Sequence, residues 1–318
     1  MPTTTAAQSA LECLVVGAGV AGLVAARALR DRGVRVTVLD KAPSPGGRLA
    51  TRRTDAGAFD HGAQFLTVRD PRFGALVDGW RASGAVVPWF GDTLRGARGM
   101  SSITRHLADG LDLVLDARIE RITRAPEAWI LHAADGRAWT APSLVITPPV
   151  PQSLALLDAG GVALPPSVRA SLDGLTYDRC LAGLFAAPWP DGLPPHGVAR
   201  VEGGALAWLA SNRAKGISDG DAVTAHAHPA WSLAHWDDAD AVVLAALGAE
   251  VSRALGGEAR PVALKRWRYA RPARSLDGVA VHRDGAATLV FAGDAFAADG
   301  GRIEAAALSG LEAAAAVA

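Results

Sequence analysis

"LVVGAGVAGLVAARALRDRGVRVTVLDK", Leu14 to Lys41, is the stretch that decides the fold. Leu14 to Val16 is a short apolar run that stops at a glycine cluster, and Val20 to Arg32 then carry apolar residues at helical spacing. The pattern is strand, tight turn, helix. Gly17, Gly19 and Gly22 make G-x-G-x-x-G: the first glycine permits the turn, the second lets backbone approach a pyrophosphate, and the third lets helix pack on strand. The phosphates would sit on the helix N-terminus. Gly33 closes the helix, and "VRVTVLD" alternates valines with polar residues up to Asp40, whose carboxylate can accept hydrogen bonds from an adenosine ribose and would repel a 2′-phosphate. The stretch predicts a dinucleotide-binding βαβ unit.

Two further segments bear on which dinucleotide is held. "KAPSPGGRLATRR" follows the second strand; Gly46 and Gly47 allow another close backbone approach, and Arg48 offers a cationic fork to phosphate. Near the C-terminus, the apolar run Thr288 to Ala292 ends in Gly293 and Asp294, and a Gly-rich turn leads into an Ala-rich helix starting near Arg302. Asp294 can take a ribityl hydroxyl, and the N-terminus of that helix can face the flavin pyrimidine edge, where negative charge collects on reduction. A glycine-rich first turn paired with this ending favours FAD over NAD. The chain has no second G-x-G-x-x-G, so a nicotinamide would enter the cavity as substrate rather than bind a Rossmann unit of its own.

The length of 318 residues points to two structural units, and half of the residues are hydrophobic. Lysine plus arginine (32) balances aspartate plus glutamate (32), which leaves no net field to draw the chain onto nucleic acid or an anionic membrane. Cys13 and Cys180 have no metal or disulfide spacing and read as buried free thiols, which fits a reducing, cytoplasmic setting. No apolar run approaches a bilayer span, and no signal peptide is expected. Ser-His-Asp order, His-Glu-x-x-His and Cys-x-x-Cys are all missing, so hydrolysis and metal catalysis have no support.

"GAGVAGLVAARAL…LDKAPSPGGRLATRR", "GAFDHGAQFLTVRDPRF", "GMSSITRHLA", "WLASNRAKG", "WRYARPA" and "GDAF…GRIEAAALSGLEAA" together resemble the renalase family, flavoproteins of the amine-oxidase superfamily, and the bacterial members above all. The resemblance implies an α/β fold: a Rossmann-like, discontinuous FAD-binding domain with an inserted α+β substrate domain, amine-oxidase-like. Residues 1–75, 98–150 and 264–318 would form the first and 76–97 with 151–263 the second. It implies an FAD-dependent oxidase that takes hydride from 2- or 6-dihydro isomers of NAD(P) to flavin N5, with O2 reoxidising the flavin to hydrogen peroxide. An amine oxidase or desaturase of the same superfamily is the enzymatic alternative, and a non-catalytic binder of the GDP-dissociation-inhibitor kind is the alternative of another class.

The cofactor-contacting set is then Gly17, Gly19, Ala21, Gly22, Asp40, Lys41, Gly47, Arg48, Gln64, Phe65, Ile119, Thr147, Gly293, Asp294, Arg302 and Ile303. Ile119 is placed beside the adenine through its backbone, Thr147 opens the "TPP" crossover, and Gln64 follows the "DHGA" turn, where it is expected near N5. His61 is the one histidine or cysteine of these segments, and non-covalent FAD is expected.

Flavin oxidation asks the protein for orientation and a dry wall rather than acid or base. Trp267 and Tyr269 alternate along a predicted strand in "KRWRYARPA" and could sandwich a planar substrate, although aromatics at such spacing more often pack a core. His226 could hydrogen-bond a carboxamide, and His228 shares its strand face. Asn212 is a second polar candidate, while Arg213 and Lys215 could meet substrate phosphates; solvated loop positions suit all of these equally. Ala305 stands where relatives have glycine, and 88–99 is short compared with them. The substrate and the oligomeric state are not legible.

Overall fold

The computed structural model describes residues 12–201 and 203–317. Its central six-stranded sheet is built on Cys13–Val16, which pairs in parallel with Val36–Leu39 on one side and Ser143–Ile146 on the other. Ala287–Phe291 adds beyond Ser143–Ile146, also parallel, and Ala280–Asp284 closes that edge antiparallel. Asp112–Val114 forms the opposite edge. All four residues of Cys13–Val16 are buried, as a strand covered on both faces requires.

Helix Val20–Arg30 packs on one face of this sheet against helix Ile303–Val317. The crossing is close because Gly310 has no Cβ; one there would meet the Ala21 carbonyl oxygen at 2.4 Å. A three-stranded antiparallel sheet, Ile119–Ala125, Ala128–Ala133 and Ala138–Ala141, covers the other face and buries Trp129 and Leu131 against Leu14 and Leu144. Leu111 to Ile122 is one apolar-patterned run in sequence but two strands in space: Asp116 takes a positive φ of 51°, and the chain turns there from the parallel sheet into the antiparallel one.

A separate five-stranded antiparallel sheet runs in the order Val198–Arg200, Leu206–Ser211, Ala222–Ala227, Tyr177–Ala186 and Arg260–Pro272. Helix Asp240–Leu255 covers its outer face, with Val243, Leu247 and Val251 packed on Leu181, Leu209 and Ala225. The expected boundary at 264 is corrected: Arg260–Pro272 pairs along its length with Tyr177–Ala186, so the chain leaves this sheet only after Pro272. The boundary at 75 falls inside helix Pro71–Ala82, whose Phe73, Val77 and Trp80 pack with Leu23 and Val24 on the nucleotide side, as does Val86. Residues 76–86 therefore belong with the first unit.

Cys13 and Cys180 are free, and burial pushes both thiols up to about 12. Among the described residues no helix is long and apolar enough to cross a membrane.

Candidate active site

The glycine turn has the geometry its spacing requires. Gly17 sits at φ 106°, and a Cβ there would meet Thr147 Oγ1 at 2.4 Å. Thr147 donates that hydroxyl to the Val16 carbonyl, 2.8 Å, and so fixes the "TPP" crossover against the turn. A Cβ on Gly22 would meet the Gly17 carbonyl oxygen at 2.0 Å, which is the close helix–strand contact. Gly19 is different: nothing lies within 4 Å of its Cβ position, and it caps helix Val20–Arg30 with no side chain over the helix N–H groups. That open backbone, with free helix N–H groups, is the kind of cradle on which a pyrophosphate can sit. Ala21 is buried in the first turn behind it.

Asp40 accepts from the Ala18 N–H on one carboxylate oxygen, 2.6 Å, and from the Ala42 N–H on the other, 2.8 Å. Each oxygen keeps a lone pair for a ribose hydroxyl. Lys41 beside it is exposed, and Ile119 begins the antiparallel layer, half-buried. Gly46 donates to the Ala18 carbonyl, 3.0 Å, and places Gly47, at φ 56°, where a Cβ would meet the Gly19 Cα at 3.5 Å.

Arg48 and Asp294, expected to hold separate parts of a cofactor, face each other. Both guanidinium Nη atoms donate to the carboxylate, 2.6 and 2.5 Å, and Arg48 also reaches the Ala270 carbonyl at 3.2 Å. Burial opposes the charge on Arg48, yet the adjoining carboxylate raises its pKa overall. The fork thus ties the first βα unit, the final strand and Arg260–Pro272 at one point. Gly293, at φ 137°, donates to Ser309 Oγ, 2.9 Å, and aims the following helix at this point. Ile303 and Ala305 are buried in its first turn. Arg302, just outside the helix, donates to Thr67 Oγ1, 2.6 Å, and lies 3.4 Å from Glu304.

Residues 60–65 form the turn between the two units. The His61 carbonyl accepts from Trp267 Nε1, 2.8 Å, and lies 3.2 Å from His226 Nε2. The His61 ring stacks on Trp267 with centroids 5.3 Å apart. Burial, helped by Lys265, pulls His61 down to about 4; burial does the same to His226. Both imidazoles are therefore neutral at physiological pH, and His226 holds the turn through Nε2 rather than offering that atom to a ligand. Tyr269 packs edge-on to Tyr177, 5.5 Å. His228, expected on the strand face of His226, is a correction: the strand stops at Ala227, and His228 is the N-cap residue of helix Pro229–Ala234.

Gln64 folds back into its own turn, its amide donating to the Asp60 and Gly62 carbonyls at 2.5 and 3.1 Å. Asn212 is a correction. It is fully buried, accepts from the Asp60 N–H at 3.1 Å and donates to the Ala222 carbonyl and Thr224 Oγ1, so no atom of it is left for substrate. Lys215 is a second correction: it is not solvated but fully buried, 2.7 Å from Asp60 Oδ2 and 2.5 Å from the Gln64 carbonyl, with its ammonium 4.7 Å from the centroid of the Trp89 ring. Asp60 is buried as well and also accepts from Thr51 Oγ1 and the Met100 N–H. Arg213 stays exposed and pairs with Asp221.

Next to Gln64 opens a cavity of about 340 Å³ lined by Phe65, Phe90, Thr93, His196, Val198, Arg200 and Trp208. Phe65, placed by sequence among the cofactor contacts, lies in this wall, 5.6 Å from Trp208. Sequence reading missed Phe90, His196, Arg200 and Trp208. Trp208 stands in the "WLASNRAKG" block, but its orientation depends on strand pairing that no local pattern reveals.

Residues 82–318 match the family described as flavin containing amine oxidoreductase, and residues 15–80 match the NAD(P)-binding Rossmann-like domain. Phytoene desaturase (neurosporene-forming) of Cereibacter sphaeroides is 39% identical over 84 residues, 26% of this chain and 15% of that protein. Protoporphyrinogen oxidase 2 of Arabidopsis thaliana is 42% identical over 64 residues, 20% of this chain and 13% of that protein. The matches thus span well under a fifth of these relatives. Among solved structures, a protein of Exiguobacterium sp. 255-15 named as a protoporphyrinogen oxidase candidate superposes with a TM-score of 0.72 at 15% identity, covering 96% of this chain and 98% of that one. Putrescine oxidase bound to putrescine gives 0.68 at 14% identity with the same coverage. At such identities the likeness speaks for the fold alone.

Proposed function

Since the chain belongs to the flavin containing amine oxidoreductase family, and so is an FAD-dependent oxidoreductase, we propose that its reaction is of the renalase kind. The substrate is a 2- or 6-dihydro isomer of NAD(P), and the products are NAD(P)⁺ and hydrogen peroxide. When bound, non-covalently, FAD would supply the hydride acceptor and the route for the two electrons to O2, one proton being taken up to balance the peroxide. Gly19, Asp40, Gly47, Arg48 and Asp294 fit such a cofactor: an open glycine cradle, a carboxylate with spare lone pairs, and a cationic fork that a phosphate can share.

The observation that carries the reading is the clamp of Trp267 and His226 on the His61 carbonyl. It locks an indole, with a neutral imidazole stacked on it, into one orientation at the junction of the two units. Loss of hydride turns a neutral dihydropyridine into a pyridinium cation. A flat π face tolerates the charge that develops, and the two imidazoles, being neutral, add none to that of the Lys265 ammonium, which lies 4.7 Å from the Trp267 ring centroid. The residues thus supply orientation and exclude water, and no proton transfer from a side chain is needed.

Anaerobic mixing of the FAD-loaded protein with β-NADH, its 2- and 6-dihydro isomers and primary amines tests this. Rapid loss of the flavin's visible absorbance with the dihydro isomers is the expected result. Bleaching by amines alone would overturn it in favour of the amine-oxidase alternative.

A further inference from the structure

Across the five-stranded sheet, strand register places Arg200 opposite Trp208, Trp208 opposite His226, His226 opposite Ala182 and Ala182 opposite Lys265. Directly paired residues share a face, and Trp267 lies two residues beyond Lys265, so one sheet face carries Arg200, Trp208, His226, Lys265 and Trp267, with the Lys265 ammonium 4.7 Å from the Trp267 ring centroid and outside the cavity lining. His226 and Trp267 belong to the ring site, while Arg200 and Trp208 line the cavity next to it. The ring site and the cavity are therefore two parts of one floor.

Arg200 is the one charged residue of the cavity lining. Its guanidinium lies over Trp208, 5.7 Å from the ring centroid, and has no ion pair or hydrogen bond among the described residues. No carboxylate lines the cavity, and the nearby Lys215 charge is already met by Asp60. Arg213, the other cation expected to meet phosphate, is paired with Asp221. The cavity thus offers π faces and one unneutralised cation, which suits an anion and repels an ammonium.

Resting on the renalase-like reading of the ring site, we propose that Arg200 is the specificity-determining residue of this enzyme, and that it binds a phosphate of a nucleotide substrate whose ring lies against Trp267. Trp267 sits on the strand four spacings from Arg200, but its indole Nε1 and His226 Nε2 meet at the same His61 carbonyl, and His226 is two strand spacings from Arg200, roughly 10 Å, a gap that a ribose and its phosphate can cross. The guanidinium presents a planar donor fork to phosphate oxygens and, being stacked on Trp208, is partly oriented beforehand. A small amine has no group for this position.

The test is equilibrium binding, followed by quenching of tryptophan emission in the FAD-loaded protein, with nicotinamide mononucleotide and nicotinamide riboside as probes. They differ by one phosphate. Wild type should bind the mononucleotide at least tenfold tighter, Arg200→Ala should lose that preference while its riboside affinity stays unchanged, and Arg200→Lys should keep part of it. Salt should weaken mononucleotide binding in wild type and not in Arg200→Ala. An equal preference in wild type and Arg200→Ala, no preference in wild type, or no binding of either probe overturns the assignment. Because binding needs no flavin reduction, failure of the dihydro isomers to bleach the flavin would overturn the proposed reaction and leave the phosphate preference as a separate result.

Discussion

Lys215→Met should be among the most damaging single changes away from the cofactor. The ammonium is fully buried and serves two acceptors, Asp60 Oδ2 at 2.7 Å and the Gln64 carbonyl at 2.5 Å. Burial lowers the pKa of Lys215 although Asp60 works against that, so the carboxylate does not fully offset the cost of taking the ammonium out of water. What the pair supplies is mutual dependence: without Lys215 the Asp60 carboxylate keeps Thr51 and Met100 as donors on Oδ1 but loses its cation. Leaving a buried charge unpaired costs about 4 kcal/mol. At roughly 2–4 °C per kcal/mol, the expected fall in Tm is roughly 8–16 °C. Calorimetry of the FAD-loaded protein at pH 7 reads this directly. Asp60→Asn combined with Lys215→Met leaves no buried charge and should recover most of the loss. A Lys215→Met protein that melts within about 2 °C of wild type, or a double variant no more stable than the single one, would refute the reasoning.

Trp267→Ala should retain FAD and slow the reductive half-reaction by ~10²-fold, because the indole that orients the ring is lost while the glycine turn is untouched; a colourless protein would show that Trp267 is a packing residue of the cofactor site. Acid should weaken the fold before ordinary carboxylates titrate. His61 and His226 have their folded pKa values pulled down to about 4 from 6.5, so the contribution of each is fully present above about pH 6.5 and is lost as pH falls toward 4, a change of about 3 kcal/mol for each; Tm measured from pH 7 to 4.5 should show the decline, and His61→Phe, which keeps the stacking, should remove only the His61 part of it. Gly22→Ala should abolish cofactor retention, since its Cβ would sit 2.0 Å from the Gly17 carbonyl oxygen; a normal flavin-to-protein absorbance ratio after gel filtration would count against the turn geometry.

The parts of this fold that sequence reveals are those whose geometry is local. Gly17, Gly19 and Gly22 declare a turn because each position has a backbone requirement that few other residues meet, and Trp267 and Tyr269 declare a shared face by spacing two. Lys215 declares nothing. Its partner Asp60 lies 155 residues away, and a lysine in a polar "SNRAKG" segment reads as solvated until the tertiary fold closes over it. The cavity is hidden for the same reason, since Phe65, Phe90, His196 and Trp208 come from separate elements. The break at Asp116 escapes notice because a positive φ at a non-glycine residue leaves no mark in hydrophobic periodicity. Arg48 and Asp294 were each legible as polar groups beside a turn, but their pairing across 246 residues was not.

Ala287–Phe291 docks beside Ser143–Ile146, and the helix after it locks onto Val20–Arg30. On a ribosome this order has a cost in time. Strands Cys13–Val16 and Val36–Leu39 emerge early, yet the carboxylate that answers Arg48 follows some 250 residues later. At ~5–20 residues per second the nascent chain spends upwards of ten seconds with Arg48 unanswered and a sheet edge open, a window in which a chaperone has something to hold. A chain made only as far as residue 286 lacks both Ala287–Phe291 and the Asp294 carboxylate, so Arg48 stays unanswered in it.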